Sequence, residues 1–450
     1  MTIELVIRYA VFIVGLHALL YWVYFLQLKE YRFDRFKNSF DTIHDVWKVV
    51  KDQWNLRRWY RPKATLRALL TLVFGFFFFV SVFLLLPLAY ILFGLLCAPL
   101  AATLGVCITG PISSTLKRVA VLRAKQKMRQ YKGLVIGITG SVGKTSTKEL
   151  LAWVLGSSFR VEKTMHNDNS EIGVARTVLR MRLDSEIFIV EMGAYRRGEI
   201  KSVCEIVHPE VGIITAIGDQ HLGLFGSLEN LRKAKFELID SLPKDGLRVV
   251  IPEDIHIEEA KDVHIGEKSL NFLYKNEKIA VPVLGRGRLA TILAVIKIAE
   301  YLKIPFAEIK RSLESFPLKT LYPKLHNGKK GGFVIDDTYN SSRESFISAL
   351  EYLSTFEDKL KIVVTPGIIE LGKRAREDHE YIGKLFRFAD KVLVTNPNFF
   401  LELNASGNAR LIPQSYDLVR ELEEYMSKDT VVLFEGRVSK GILEVFIQTE

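Results

Sequence analysis

The chain has few cysteines and few histidines. Its 450 residues include three cysteines, Cys97, Cys107 and Cys204, and nine histidines. So few cysteines exclude a disulfide framework, and no Cys/His pair has the spacing of a zinc site. Cys97 and Cys107 lie in apolar sequence, and we expect all three cysteines to be small buried hydrophobic residues.

Charge is missing from two long stretches near the N-terminus. Tyr9–Leu28 is 20 residues without formal charge, and Ala68–Gly110 is 43 residues without Asp, Glu, Lys, Arg or His. The first matches one bilayer crossing of about 20 residues. A cleaved signal peptide is disfavoured because Glu4 and Arg8 do not make a basic start, and no small-residue cleavage site follows.

The longer uncharged stretch is too long for one crossing. As one straight helix it would measure roughly 64 Å, about twice the hydrocarbon core. We therefore predict two crossings joined by a turn, with the helix broken at Pro87 or in the Cys97–Pro99 region. One crossing followed by a re-entrant or interfacial piece remains open.

Basic residues flank these apolar stretches and contribute to the net charge of +11. Residues 29–67 carry eleven Lys or Arg, and residues 111–132 carry seven with no acid. Basic flanks face the cytoplasm, so we expect about three crossings and a multi-pass protein of the cytoplasmic membrane with cytoplasmic catalytic domains. The segment "WNLRRWYRPK" (54–63) is typical of a surface on anionic lipid; we expect no nucleic-acid partner.

After the basic linker, short apolar strands alternate with amphipathic helices, which indicates parallel α/β sheets. The segment Pro317–Lys330 is rich in Pro, Gly and Lys, which indicates a domain boundary there. We therefore predict a transmembrane region (1–110), a linker (111–132), a central domain (133–317) and a C-terminal domain (318–450). The predicted strands are 134–139, 187–192, 211–215, 248–251, 333–336, 361–365, 391–395 and 430–434, with helices at 144–155 and 227–241, for example.

A glycine-rich loop follows the first of these strands. The run Gly140-Ser141-Val142-Gly143-Lys144-Thr145 stands between an apolar strand and a helix. It lacks the first glycine of the usual G-x-x-x-x-G-K-[ST] pattern, where Ile138 stands. Its context nevertheless predicts a phosphate site, in which backbone amides face an anion, Lys144 reaches the phosphates, and the Thr145 hydroxyl ligates Mg²⁺.

The loop and the motifs after it resemble the Mur ligases, the amide-forming enzymes of peptidoglycan synthesis. The resemblance covers residues 133–450 and is strongest to the subgroup that adds D-alanyl-D-alanine to a UDP-muramoyl tripeptide. It implies a P-loop-containing central domain and a Rossmann-like C-terminal domain. The matching stretches are 137–151, 164–179, 188–200, 216–238, 336–350 and 366–379.

The resemblance assigns roles to individual residues. It implies ATP and two Mg²⁺ ions, with catalytic roles for Lys144, Lys235 and His221, and with Lys235 as a carbamylated lysine. Glu171 and His379 lie in matching segments, and Asp337 stands beside Asp336. The implied metal ligands are Thr145, Glu191, His221 and Lys235, and the implied nucleotide-binding residues are Gly140, Ser141, Gly143, Lys144, Thr145, Ser146, Asn167, Asn169, Asp336, Tyr339 and Asn340.

Four features depart from the family pattern. Membrane segments stand where the family has a UDP-sugar domain. In 285–295, Gly287 and Thr291 replace a histidine and an asparagine near adenine. Lys324 replaces an arginine at the entry to the C-terminal domain, and Glu435-Gly436-Arg437 replaces a Lys-Gly-Ser motif.

These features predict a membrane-anchored, ATP-dependent, ADP-forming amide ligase. ATP would convert a carboxylate of a cell-wall precursor, UDP-linked or lipid-linked, into an acyl phosphate, which the amine of an amino acid or dipeptide would attack. The expected partners are the lipid bilayer, that precursor and the amine donor. A poly-γ-glutamate-type ligase and a non-catalytic scaffold with the ligase fold remain as alternatives.

Overall fold

The structure is a computed structural model that divides after Leu122 into an N-terminal unit and a C-terminal unit (123–450). Its description excludes the side chains of residues 3–9, 11 and 82–85. The residues it describes are 3–28, 31, 49, 51–52, 60–85, 98–165, 168–218, 225–251, 253–339, 341–368, 371 and 374–448.

The N-terminal unit is built from helices α1 (Ile3–Leu28), α2 (Leu66–Leu85) and α3 (Ala98–Met128), and the boundary at Leu122 falls within α3. The uncharged stretch 68–110 therefore contains two helices, and α3 continues through most of the predicted linker. Pro87 and Cys97, where a break was predicted, lie outside the described residues. Among the described helices, α3 is long and apolar enough to cross a membrane, whereas the apolar parts of α1 (Phe12–Leu28) and α2 (Leu66–Ser81) are shorter.

The interior of this unit combines an apolar core, which includes Leu19 and Val23, with buried hydroxyl groups. The hydroxyls of Thr71 and Thr109 lie 3.4 Å apart in the interior, and a side chain at Gly105 would collide with the backbone of Thr71. Tyr60, within the predicted lipid-surface segment, instead packs edge-on against Tyr21 at 4.7 Å between ring centroids. Residues 54–59 of that segment lie outside the described residues.

The prediction for the cysteines was wrong for Cys107. It is exposed on α3, because the apolar sequence around it includes the outward side of the helix. Cys204 is buried, and burial raises the pKa of its thiol to about 12. Cys97 lies outside the described residues.

The C-terminal unit contains two largely parallel sheets, as the sequence predicted. The first has the order β2-β3-β1-β4-β5 and is parallel throughout. Its strands are β1 (Leu134–Thr139), β2 (Val161–Lys163), β3 (Ile187–Glu191), β4 (Val211–Ile214) and β5 (Leu247–Val250), and its helices are α4 (Lys144–Leu155), α5 (Glu171–Arg180), α6 (Glu199–Val207) and α7 (Leu228–Asp240).

The second sheet has the order β13-β12-β11-β14-β10-β9, with β9 antiparallel to β10. Its strands are β9 (Lys324–Asn327), β10 (Phe333–Asp337), β11 (Leu360–Thr365), β12 (Lys391–Val394), β13 (Ala409–Leu411) and β14 (Thr430–Glu435). Its helices are α10 (Arg343–Ser354), α11 (Ala375–Leu385), α12 (Phe400–Leu403), α13 (Ser415–Tyr425) and α14 (Lys440–Phe446).

A third, antiparallel sheet was not predicted. It consists of β6 (Lys261–Ile265), β7 (Leu270–Tyr274) and β8 (Glu277–Val281), and helices α8 (Leu289–Tyr301) and α9 (Phe306–Glu314) follow it. Its strands bury one face only: Leu270, Phe272 and Tyr274 alternate with half-buried neighbours. These side chains join the core cluster of the first sheet, so the third sheet extends that core.

Candidate active site

The glycine-rich loop adopts a conformation that requires glycine. Gly140 has φ +147° and Gly143 has φ +88°, both outside the range that other residues readily adopt. A Cβ on Gly140 would lie 1.9 Å from Thr215 Oγ1. Ser141 N–H donates to Ala216 O at 2.9 Å, and the Ser141 hydroxyl donates to Gly218 O at 3.1 Å. The segment that follows β4 therefore holds the loop in place through these two hydrogen bonds.

Helix α4 begins directly after Gly143, which is its N-cap. The first amides of a helix have no partner within it, and the helix dipole places partial positive charge at that end. Ser146, in this first turn, is buried. Lys144 Nζ lies over the loop and donates to Gly140 O at 2.8 Å and Ser141 O at 2.9 Å. The loop thus combines backbone amides with an ammonium, which is the arrangement that phosphate binding needs.

The Glu191 carboxylate, at the end of β3, connects several predicted residues. Thr145 Oγ1 donates to its Oε2 at 3.0 Å, and Asn169 Nδ2 donates to its Oε1 at 3.1 Å. Glu191 is 1% exposed. Since β3 lies beside β1, both strands end at the same edge of the sheet, and this brings the glutamate to the phosphate loop.

The geometry at Glu191 fits a divalent cation. Thr145 Oγ1 and Glu191 Oε2 are oxygen donors of the type Mg²⁺ prefers, and Mg²⁺ commonly takes few protein ligands besides phosphates and water. In the described parts of the chain, no group of three His, Cys, Asp or Glu side chains is arranged to hold a metal. His221, the implied ligand of a second ion, lies outside those parts.

Lys235 lies on α7 and is 2% exposed. Burial, reinforced by the positive charge of Lys144, lowers the pKa of its ammonium to about 7, while Glu199 and Glu237 oppose that shift. Both glutamates are also engaged by backbone amides: Glu199 accepts from Tyr195 N–H and Glu237 from Gly198 N–H. A lysine with such a pKa is largely the neutral amine slightly above neutral pH, and this is the form that reacts with CO₂.

The segment between β2 and α5 supplies part of the expected loop. The side chain of Asn169 bonds Glu191, and its backbone oxygen accepts a hydrogen bond from the Gly193 amide at 2.8 Å. Ser170 caps α5 by accepting the Gly173 amide, and Glu171 begins that helix. Asn167, expected to contact nucleotide, lies outside the described residues.

The residues predicted in the C-terminal domain lie at the end of β10, on the second sheet. Asp336 accepts bonds from the amide and the hydroxyl of Thr338. Tyr339 is 46% exposed and stacks on Tyr322, with 5.1 Å between ring centroids. Asn340 lies outside the described residues. An exposed aromatic face is thus present here, next to buried carboxylates.

Near this strand end, the altered family positions have structural consequences. A side chain at Gly287 would meet Ser348 Oγ at 2.7 Å, so the helix that packs here leaves little room for the family's histidine. Lys324 Nζ lies 4.7 Å from the centre of the Tyr322 ring. Glu435 is fully buried, and its Oε1 accepts the Ser341 hydroxyl at 2.7 Å.

His379 has a structural position. Its Nε2 accepts the Ile368 amide at 2.9 Å, its Nδ1 lies 2.6 Å from Ala375 O, and its ring stacks on Phe399. Burial lowers the pKa of its imidazole, so a neutral ring that uses both nitrogens for the backbone fits this geometry.

Sequence reasoning missed two charged residues of this region. Lys148, one turn after Lys144, is fully buried and bonds Glu191 Oε2 at 3.1 Å. Arg288 donates a hydrogen bond to Tyr322 O. Burial lowers the pKa of the Arg288 guanidinium, and the negative charge of Asp337 opposes that shift. The i, i+4 spacing puts Lys148 on the same face of α4 as Lys144, but nothing in the sequence marked it as buried.

The chain matches known proteins over much of its length. Residues 138–281 match the family model described as the Mur ligase middle domain. The UDP-N-acetylmuramoyl-tripeptide–D-alanyl-D-alanine ligase of Bacillus subtilis is 30% identical over 348 residues, which are 71% of this chain and 76% of that protein. Its counterpart from Synechocystis is 28% identical and covers 70% of this chain and 74% of that protein.

Among solved structures, the MurF ligase from Thermotoga maritima in complex with ADP is similar, with 28% identity and a TM-score of 0.64. The match covers 73% of this chain and 83% of that one. The chain belongs to the Mur ligase family. It is accordingly an ATP-dependent, ADP-forming ligase that makes an amide bond, as the sequence predicted.

Proposed function

We propose that this protein adds D-alanyl-D-alanine, or a similar amine donor, to the terminal carboxylate of a muramoyl peptide precursor at the membrane. The relatives named above carry that dipeptide activity in their names. The observation that carries the proposal is the cluster of Thr145, Asn169 and Glu191 beside the phosphate loop. This cluster supports phosphoryl transfer from ATP to a carboxylate.

In this proposal the residues of the loop bind and orient ATP. The amides of the first turn of α4 and the Lys144 ammonium contact the phosphates, while Thr145 and Glu191 hold Mg²⁺. The bound ion neutralises charge on the transferring phosphoryl group. The acceptor carboxylate attacks the γ-phosphorus and ADP leaves; the donor amine then attacks the acyl carbon, and phosphate leaves after the amine has lost a proton.

Lys235 is proposed to act as its carbamate. A neutral lysine amine and CO₂ form a carbamate with loss of one proton, which converts a cationic position near Lys144 into an anionic one. The low pKa of Lys235 supports this step. The proposed second cation site, with His221 and Lys235 as ligands, rests on the family resemblance alone.

The division of the ligase into two domains is also a proposal. Residues 133–317 hold the phosphate loop and the proposed cation ligands, and residues 318–450 contain Asp336, Tyr339 and Asn340, to which the resemblance assigns contacts with the nucleotide and the amine. Two separate sheets with separate core clusters support this division. Glu344, at the start of α10, lies close to the segment after β4: a Cβ at Gly218 would lie 3.2 Å from its Oε2. The segment that supports the loop thus reaches the C-terminal domain.

Membrane attachment through the N-terminal unit is supported by the large apolar side chains on its surface. Leu69, Phe77, Leu100 and Leu122 are between 59% and 65% exposed, while Thr71 and Thr109 are buried. Outward apolar side chains with small and hydroxyl residues between helices are typical of helices packed in lipid. We propose a multi-pass anchor that holds the ligase domains at the cytoplasmic face.

The test of activity uses the full chain in detergent or nanodiscs with ATP, D-alanyl-D-alanine, and either UDP-linked or lipid-linked muramoyl tripeptide. We expect ADP, phosphate and a product that is heavier by one dipeptide residue mass. Replacing D-alanyl-D-alanine by single amino acids identifies the donor. The proposal is wrong if neither acceptor gives a ligated product with any of these amines.

The test of membrane attachment is extraction of isolated membranes with alkaline carbonate. We expect the full chain to stay in the membrane pellet, and a chain that starts at residue 123 to be released if it folds. Release of the full chain by carbonate would overturn the anchor without affecting the proposed chemistry.

A further inference from the structure

Lys148 is a fully buried lysine that the proposed reaction does not use. It lies on α4 one turn after Lys144, and its side chain is 0% exposed. Lysine is almost never fully buried unless it is paired. Its Nζ lies 3.1 Å from Glu191 Oε2 and 3.7 Å from Glu149 Oε1. One ammonium therefore has two carboxylates within reach.

The two carboxylates differ in their surroundings. Glu191 Oε2 also accepts the Thr145 hydroxyl, and these two oxygens form the proposed cation site. Glu149 is 19% exposed at its side chain and also pairs with Lys163. An ammonium and a divalent cation at the same carboxylate oxygen repel each other strongly in a buried setting. An ammonium that is drawn to Glu149 leaves Glu191 Oε2 to the cation.

We propose that Lys148 is a displaceable counter-ion of Glu191. In the protein without metal it neutralises and orients the buried carboxylate, and Asn169 holds the other carboxylate oxygen at 3.1 Å. When Mg²⁺ and nucleotide bind, the ammonium turns to Glu149. Lys148 is thus a positioning residue that sets the affinity for the ion, and this role rests on the proposed cation site at Thr145 and Glu191.

Two substitutions should change the affinity for Mg²⁺ in opposite directions. Lys148→Met keeps the length of the side chain but removes its charge, so the cation no longer has to displace an ammonium. We expect Mg²⁺ to bind about tenfold more tightly in the presence of ADP, which corresponds to about 1.4 kcal/mol. Glu149→Gln removes the negative charge that draws the ammonium away from Glu191, and we expect Mg²⁺ to bind about tenfold more weakly.

The measurement is calorimetric titration of Mg²⁺ into the full chain in detergent micelles with saturating ADP, together with the melting temperature with and without the ion. Lys148→Met should melt earlier than wild type without metal, because Glu191 then lacks a counter-ion. Its melting temperature should rise more on addition of Mg²⁺ than that of wild type does. Lys148→Arg, which keeps the charge, and Lys233→Met, which neutralises a surface lysine, should bind the ion as wild type does.

The outcomes separate this inference from the proposed cation site. If wild type binds no Mg²⁺ with ADP, the cation site itself is wrong. If wild type binds the ion but Lys148→Met binds it equally or more weakly, Lys148 is only structural and the inference is overturned. If Lys148→Met does not fold, Glu149→Gln decides: weaker binding supports the inference, and unchanged binding refutes it.

Discussion

Replacing Gly140 by alanine tests whether the loop conformation is fixed by its glycine. At φ +147° an alanine is strained by about 1–3 kcal/mol. The added Cβ would also lie 1.9 Å from Thr215 Oγ1 and 3.0 Å from Thr215 Cβ; such overpacking typically costs about 1–3 kcal/mol. We therefore expect Gly140→Ala to lower the free energy of unfolding by about 2–6 kcal/mol.

Gly143→Ala is the matched control. Gly143 has φ +88°, but its Cβ would lie 3.9 Å from Thr215 Cβ, which is an ordinary contact. This variant has only the conformational cost, roughly 1–2 kcal/mol. Thr215→Ala in the Gly140→Ala background removes the nearest atom, so the two substitutions should destabilise by less than the sum of their single effects.

The assay is urea unfolding in the absence of nucleotide, monitored by the fluorescence of Trp153. In every variant the other four tryptophans are replaced by phenylalanine. Trp153 is the sole tryptophan of residues 123–450 and lies on α4, the helix that the loop begins. Equal destabilisation by Gly140→Ala and Gly143→Ala, with additive effects of Thr215→Ala, would refute the steric argument. The loop would then be able to shift away from Thr215 at little cost.

Three further substitutions test the chemistry and the electrostatics. Lys144→Ala should lower ATP turnover by about 100-fold or more, measured as phosphate release; undiminished turnover would remove Lys144 from the phosphate site. Lys235, with its pKa of about 7, should give a carbamate signal with ¹³C-bicarbonate that grows as pH rises through 7, and an unchanged signal in Lys235→Arg would disprove the assignment. Burial and the charge of Asp337 raise the pKa of the Glu435 carboxyl. The native state therefore holds protons that the unfolded state has released. The free energy of unfolding then falls as pH rises from about 4 through the native pKa values. Glu435→Gln should therefore have a higher urea midpoint than wild type at pH 8 and a flatter pH dependence; equal midpoints at pH 8 would contradict this.

Most of the parallel strands were predictable because both of their faces are buried, whereas the edge strands β2 and β13 are largely half-buried and were not predicted. Val135 and Ile136 are both nearly inaccessible, as are Val363 and Val364, so continuous apolar runs identified these strands and their boundaries to within a residue or so. The strands of the third sheet bury only one face. Their signal was an alternating pattern with a turn at Lys275 and Asn276, both with positive φ, which is typical of a tight hairpin.

The site was predictable where its chemistry is encoded in consecutive residues. The run 140–145 specifies both the loop and the start of α4. The contact of Thr145 with Glu191 depends on strand order, because β3 pairs with β1 although β2 precedes it in sequence; the family resemblance supplied that information. Lys148 could not be assigned from sequence, because a lysine at this spacing on a helix usually faces solvent, and only the packing shows that it is buried.

Three lysines of the candidate site, Lys144, Lys148 and Lys235, differ in their surroundings. Lys144 donates to two loop carbonyls, and burial lowers the pKa of its ammonium while Glu191 opposes that shift; Lys148 Nζ lies 3.1 Å from Glu191 Oε2. Lys235 is 2% exposed; burial and the positive charge of Lys144 lower its pKa to about 7, and Glu199 and Glu237, which also accept backbone amides, oppose that shift. Lys235 therefore stays our proposed site of reaction with CO₂: its lowered pKa favours the neutral amine, whereas the side chains of Lys144 and Lys148 are already bonded to the loop carbonyls and to Glu191.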